Sequence, residues 1–415
     1  MNQNQTPNAP DRIDGTIYTD PQLFEDELER IFHNTWVWVA HESEVAKPGD
    51  FKTGIVGRQP VIITRDTNLQ VNVLLNRCRH RSASVCDVDK GNAKSLVCPY
   101  HGWSYSLDGK LRGVPLSDGY EGILDKESLP LVKLKVGTYG GHVFASVNQN
   151  VQPLEEFLGD ARPWIDLFNS TVGGGYPLKV IGQHKMEFKG NWKIQLENTT
   201  DYYHFPVVHK SFIASVRNLE AAQDLVEQIT RPTAFCRALG NGHSVAVHTP
   251  DAATKGRAIP LQYDKLKEEL AAACTEEQIA RILRGLGGAG FNLNLFPNIA
   301  LSGSFFRELR PVSVDCTEVR HIALAMEGAP KGVNLVRRRM FEQFQGPAGF
   351  GSPDDIEVWT RVQKGAHAGR GEVDILLNRG LNRETTSEDG HATAQLSDET
   401  GMRAAYAMWN RMMQQ

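Results

Sequence analysis

Two short segments, Cys78-Arg-His80 and Cys98-Pro-Tyr-His101, constrain this 415-residue chain more than any other feature. Each offers one thiolate and one imidazole, with seventeen residues between them. Two readings fit these four ligands. A structural zinc site takes Cys₂His₂ in a tetrahedron, but it more often pairs Cys with Cys and His with His in each half. Mixed halves suit a cluster of two irons, with both thiolates on one iron and both neutral imidazoles on the other, an arrangement that raises the reduction potential. Arg79, Arg81, Tyr100 and Trp103 flank the ligands and suit hydrogen bonding to sulfur and shielding of a cluster, or ordinary surface and packing roles.

Composition narrows the class. With 40 % apolar and 23 % charged residues, the chain is ordinary globular material. Its 45 basic and 49 acidic residues leave −4, so no basic field exists to hold nucleic acid or an anionic membrane. No apolar run approaches the roughly 18 residues that span a bilayer. Met1–Asp14 is polar and lacks the basic-then-apolar order of a secretory signal. Six cysteines are too few for a disulfide scaffold and read as thiols or metal ligands. A cytoplasmic enzyme with neither a nucleic-acid nor a membrane partner is expected.

Periodicity then sets the organisation. After a loose polar arm over 1–18, Asp20-Pro21 offers a cap and a first-turn proline, and Leu23, Phe24, Leu28, Ile31 and Phe32 continue at helical spacing. From about 36 to 150, short β-rich runs (Val61–Thr64, Val71–Leu75, His101–Tyr105, His142–Val147) alternate with turn residues, predicting an all-β domain. Beyond 153, helical stretches (154–168, 264–283, 399–413) mix with strand-like ones (178–188, 292–306, 318–326), predicting an α+β domain, with a long loop over 367–396. Gly285-Leu-Gly287-Gly-Ala-Gly290 matches a dinucleotide fingerprint, but a helical pattern precedes it and a strand follows, the reverse of what phosphate binding needs. It reads as a turn.

A second constellation is Glu197-Asn198-Thr-Thr-Asp201-Tyr-Tyr-His204-Phe-Pro206-Val-Val-His209. On a helix Asp201 and His204 share a face, whereas His204 and His209 splay unless Pro206 kinks the chain between them. The two histidines read as iron ligands, or as one core and one surface residue. A 2-His-1-carboxylate site needs one more acid. Gly346-Pro-Ala-Gly349-Phe-Gly-Ser352-Pro353-Asp354-Asp355 supplies candidates, and equally reads as a helix start with Ser352 as cap and two acids favoured by the dipole.

Cys78-Arg-His80-Arg and Cys98-Pro-Tyr-His-Gly-Trp-Ser-Tyr105 resemble the two Rieske loops of aromatic-ring-hydroxylating oxygenase large (α) subunits. Many members carry glycine where this chain has Ser82, a departure that touches no ligand. The resemblance runs from the N-terminal helix to about Gly365. It implies a Rieske [2Fe–2S] cluster on Cys78, His80, Cys98 and His101, and a mononuclear Fe(II) on His204, His209 and Asp355, the motif offset selecting Asp355 over Asp354. It gives Asp201 the role of bridging an iron histidine to a Rieske histidine of a neighbouring subunit; by itself Asp201 reads as a solvated helix acid. The implied fold is a two-domain α+β chain: an N-terminal arm and helix (1–38) packing on the catalytic domain, an all-β Rieske domain (39–152), and an α+β helix-grip (START/Bet v1-like) catalytic domain (153–415). A head-to-tail trimer follows, α₃ or, with a small β subunit, α₃β₃.

The implied function is a terminal oxygenase that uses O₂ to dihydroxylate an aromatic ring in aromatic catabolism. Electrons come from a separate NAD(P)H reductase, with or without a ferredoxin. The segments Gly349–Asp355 and Leu295-Phe-Pro-Asn298, with Arg307 and Arg310 beyond, resemble the branch acting on benzoate-like acids such as anthranilate, salicylate and 2-halobenzoates. Arg307 or Arg310 suits a bidentate carboxylate contact, or an exposed strand position. Asn198, Phe350 and Trp359 are pocket candidates by proximity to the ligands. A Rieske monooxygenase (ring hydroxylase or O-demethylase) is the alternative, ahead of a Rieske electron carrier without mononuclear iron or a zinc-stabilised module.

Overall fold

The computed structural model describes residues 11–216, 223, 225–250, 264–368 and 374–414. It divides into two compact units, residues 28–154 on one side and the residues up to 27 together with those from 155 onward on the other. The division comes at Leu28, where helix α1 (Pro21–Glu27) loosens into a π turn (Leu28–Phe32). Residues 28–38 therefore belong to the β unit, not with the catalytic part as the sequence suggests.

The β unit is built from three small antiparallel sheets. Its central strand, Gln59–Arg65, carries Val61, Ile62 and Ile63 in succession with no solvent exposure, as a strand covered on both faces must. One hydrophobic cluster holds Cys78 and Cys98 together with Trp103, Tyr105 and Leu107. The expected strand His101–Tyr105 is confined to Ser104–Tyr105, because His101 lies in the turn that precedes it.

The two loops that carry the Cys/His pairs share one backbone plan. In the first, Cys78 N–H donates to Ala83 O at 2.8 Å and Ser82 N–H to Cys78 O at 3.0 Å. In the second, Cys98 N–H donates to Trp103 O at 2.8 Å and Gly102 N–H to Cys98 O at 3.0 Å. Matching positions turn left-handed, Ser82 at φ 62° and Gly102 at φ 71°. The serine is thus not a neutral departure: it holds a conformation that costs a residue with a Cβ about 1–2 kcal/mol.

The catalytic unit is a nine-stranded antiparallel sheet, in the order Leu178–Phe188, Cys316–Met326, Phe305–Ser313, Ile299–Ser302, Phe291–Leu295, Ser244–Val247, Phe235–Ala238, Ala392–Gln395, Thr385–Thr386. The run expected as one strand over 292–306 is three, and the expected loop over 367–396 contributes the last two of the sheet and a strand Asp374–Leu376 that pairs with Arg12–Asp14. Helix α2 (Trp192–Thr200) lies against the sheet, held by Asn292 Nδ2 to Thr199 O (3.2 Å) and Asn294 Nδ2 to Leu196 O (3.4 Å). After it come a single turn, α3 (Phe205–Val208), then α4 (Lys331–Gln345) packed on Cys316–Met326, α5 (Ser352–Ala366) and the C-terminal α6 (Thr400–Met413). The glycine-rich stretch closes a helix, Glu276–Gly287, and leads into Phe291–Leu295, as the sequence predicts.

Replacing Ser82 with glycine should stabilise the β unit by roughly 1 kcal/mol, less the exposed Arg77 Nε to Ser82 Oγ hydrogen bond (2.9 Å) that is lost. The thermal unfolding midpoint of the β unit measures this. An unchanged or lower midpoint would show that the Arg77 contact outweighs the backbone strain.

Candidate active site

The four residues of the first constellation meet where the two loops face each other. The thiols of Cys78 and Cys98 are buried, while His80 and His101 lie outward, with their Nδ1 atoms 3.1 Å apart. Trp103 stacks on the His80 ring at 4.8 Å. Arg79 N–H donates to Tyr105 OH (3.1 Å), which leaves the phenol proton for Cys78 Sγ at 3.3 Å. Two inward sulfurs and two outward imidazoles with adjacent Nδ1 atoms suit a two-iron cluster better than one tetrahedral ion.

The second constellation is arranged differently from the kinked helix its spacing suggests. Helix α2 ends at Thr200 with Asp201 as C-cap, so the break comes before His204 and not at Pro206. His204 is then the N-cap and His209 the C-cap of the single turn α3, in which Pro206 occupies the first turn. Placing the histidines at the two ends of one turn overcomes their helical splay. Their rings stand 5.3 Å apart. Asp355 enters from α5, where the helix N-terminus favours a carboxylate. Its Oδ1 lies 3.6 Å from His204 Nε2 and 3.2 Å from His209 Nε2. All three ligand atoms fall within 4.8 Å of one another. Asp354 turns away to accept from Ser211 Oγ at 2.9 Å, and Ser352, expected as the cap, contacts Gln345 O and the His321 ring while Gly351 caps the helix.

The electrostatics match a cation site. Burial pushes the Asp355 carboxyl up, but the hydrogen bond to His209 and the charges of His209, His204 and Arg307 hold it below its usual range. For His204 burial works downward, and the contacts with Asp201 and Asp355 bring the imidazole above its ordinary value. A buried carboxylate facing two buried or half-buried imidazoles, with His209 Nδ1 lacking a hydrogen-bond partner among the described residues, is the donor set a non-haem Fe(II) takes. Asp201 Oδ2 lies 3.5 Å from His204 Nδ1, on the far side of the ring from Asp355, as an orienting acid would.

These groups open onto a cavity of about 280 Å³. Arg307, only 5 % exposed, lines it. Its guanidinium donates to His321 Nε2 (3.0 Å), Thr199 Oγ1 (3.2 Å) and Gln345 Oε1 (3.4 Å). His321 can accept because burial and the neighbouring Arg307 charge keep its imidazole far below the usual range, hence neutral. Asn198 Nδ2 reaches Asp355 Oδ1 (3.3 Å) and His204 Nε2 (3.4 Å). Phe212 and Phe344 supply apolar wall, their rings 4.7 Å apart.

Two of the four expected substrate contacts are misplaced. Trp359 is 2 % exposed and packs on Phe188 in the core, and Phe350 is 40 % exposed; neither lines the cavity. Arg310 is buried and paired with Glu308 at 2.7 Å, away from the cavity. Sequence reasoning missed His321 and Gln345, which no local motif marks. The glycine-rich stretch also proves to be cavity wall, with Gly287, Gly288 and Gly290 lining it.

The ring-hydroxylating alpha subunit (catalytic domain) family model matches residues 177–415, and the Rieske [2Fe-2S] domain model matches residues 35–131. The chain belongs to the ring-hydroxylating α subunits. This α subunit is 35 % identical to toluate 1,2-dioxygenase subunit alpha of Pseudomonas putida, over 86 % of its own length and 80 % of the relative's. It is 31 % identical to the large oxygenase component of salicylate 5-hydroxylase of a Ralstonia species, over 97 % and 94 %. Naphthalene 1,2-dioxygenase with indole bound in its active site superposes with a TM-score of 0.82 at 25 % identity, covering 100 % of this chain and 95 % of that one. The protein is a Rieske ring-hydroxylating terminal oxygenase close to the benzoate-type dioxygenases, and its cofactors are a Rieske [2Fe–2S] cluster and a mononuclear iron.

In His204→Ala, the ratio of about three irons to two acid-labile sulfides should fall towards parity, with the cluster spectrum unchanged. Retention of the third iron would mean that His204 is not a ligand.

Proposed function

We propose that this α subunit dihydroxylates the ring of a benzoate-type aromatic acid, and that Arg307 is what selects the carboxylate. That buried guanidinium supports the reading more than any other observation. It lines the cavity beside the ligand triad, its three contacts are to neutral groups, and its planar fork keeps N–H groups for a carboxylate. Relatives named for acting on toluate, anthranilate and 2-halobenzoate agree with an acid substrate.

In this reading Cys78, His80, Cys98 and His101 hold the cluster, and His204, His209 and Asp355 hold the iron. When bound, the iron supplies dioxygen activation and the cluster supplies single electrons. The chain's own residues do the rest. Arg307 anchors the acid group and so fixes the ring's orientation, Phe212 and Phe344 exclude water, and Asn198 steadies Asp355 and His204. Asp201 orients the His204 imidazole and, as in the family, links it to a Rieske histidine of a neighbouring subunit in a head-to-tail trimer, with or without a small β subunit. The solvent-facing His101 and the 59 % exposed Tyr100 suit such a contact. Electrons come from a separate NAD(P)H reductase, directly or through a ferredoxin, since the glycine stretch lines the cavity rather than opening a nucleotide-binding helix. A cytoplasmic setting accords with there being, among the described residues, no helix long and apolar enough to cross a membrane. A second reading, ring monohydroxylation, draws on the salicylate 5-hydroxylase relative, which matches over nearly the whole of both chains.

With ¹⁸O₂, two labelled oxygens in the product support dihydroxylation and one supports the second reading. Arg307→Gln should raise KM for an aromatic acid roughly 10- to 100-fold with iron content retained, while a neutral ring of the same shape is little affected. An equal loss for both would remove Arg307 from substrate recognition. Asp201→Asn should keep the cluster spectrum and nearly abolish turnover; substantial product formation would take Asp201 out of the electron path.

A further inference from the structure

Helix α2 ends in two acids one turn apart, with Asp201 N–H donating to Glu197 O at 3.1 Å. Both sit where the helix dipole disfavours negative charge. Asp201 borders the ligand cavity, whereas Glu197 points into the interior of the catalytic unit. There Glu197 Oε1 accepts from Tyr18 OH at 2.5 Å, from the short helical turn Gly15–Tyr18, and from Tyr406 OH of α6. Beside the carboxyl is a chamber of about 10 Å³, room for one water. Ser244 Oγ borders that chamber, buried and with no hydrogen-bond partner among the described residues. The charges around it are accounted for. Lys193, on the same helix, is committed to Glu27 of α1 at 2.5 Å, and Asp201 contributes a like charge.

We propose that Glu197 takes up a proton in the folded protein in weakly acidic solution and acts as a positioning residue for Asp201. Neutral, it leaves Asp201 without a like charge one turn away; ionised, it adds one. A water in the chamber, bonded to Ser244 Oγ, is the partner that exchanges the proton. Burial raises the Glu197 carboxyl to about 7, with Asp201 adding to the rise and the two phenols and Lys193 opposing it. The consequence for turnover rests on the reading of Asp201 as the coupling acid; the protonation itself does not.

The two parts separate experimentally. The folded-state value lies above the ordinary 4.5, so the native protein binds more protons than the unfolded chain between pH 4.5 and about 7. Stability from this group is therefore full below pH 4.5 and is lost as pH rises through about 7. Glu197→Gln, a neutral isostere, cannot lose it, so the melting temperature of the variant minus that of wild type should climb between roughly pH 5 and pH 8. A difference that stays flat overturns the proposal. In turnover, wild type should show a falling limb near pH 7 that Glu197→Gln lacks, and Tyr406→Phe, which deletes one stabilising phenol, should move that limb to higher pH. A climbing stability difference with an unchanged limb in Glu197→Gln would show that Glu197 titrates without acting on Asp201, and the positioning role falls. Full turnover by Asp201→Asn would instead remove the coupling acid while leaving the stability result intact.

Discussion

Glu27 has no solvent exposure, and its carboxylate joins three parts of the chain that are remote in sequence. Trp192 Nε1 donates to it at 2.8 Å, Lys193 Nζ at 2.5 Å and Trp409 Nε1 at 2.7 Å. The first helix, the start of α2 and the last helix are thereby fixed to one point. A buried ion pair adds little over a well-packed apolar core, but breaking one by removing a partner costs about 3–5 kcal/mol. The interaction is thus a constraint on geometry more than a source of stability. It sets where α2 begins, and every group that α2 and its exit carry depends on that origin.

From there the site is assembled by registry. Two asparagines on Phe291–Leu295 hold the carbonyls of α2 to the sheet. The helix then delivers Asn198 and the turn His204–His209 to one end of the cavity, and α5 brings in Asp355 by its N-terminus. Opposite them a strand presents Arg307, whose charge is spread over a neutral histidine, a threonine and a glutamine. Each ionised group in this crowded interior has an opposite charge or a neutral acceptor in reach, which is the condition for burying it at all.

Much of this was legible beforehand, and the reasons are local. The Cys/His loops and the strands of the β unit lie in short stretches whose composition and alternation need no distant partner to be read. The triad was legible through its motif, yet not its shape: the chain breaks at Asp201 because the helix reaches its cap there, and spacing alone points to Pro206 instead. Nearness in sequence misled for Trp359, which shares the buried face of Asp355 but lies one turn further along the helix, in the core against Phe188, and for Phe350, which faces solvent. His321 and Gln345 were invisible because their role exists only once a strand and a helix end meet at Arg307. The serine at position 82 looked harmless until the backbone dihedral showed what that position demands.

The single turn between His204 and His209 has a thermodynamic consequence. A helix of four residues, with no side-chain cap at its first position, is far too short to sustain itself in water. On the ligand assignment proposed above, an ion held by His204 and His209 would tie the turn's two ends together, and part of its binding energy would be spent as local order. Starving the protein of iron would then do more than remove a reagent: it would release the floor of the cavity.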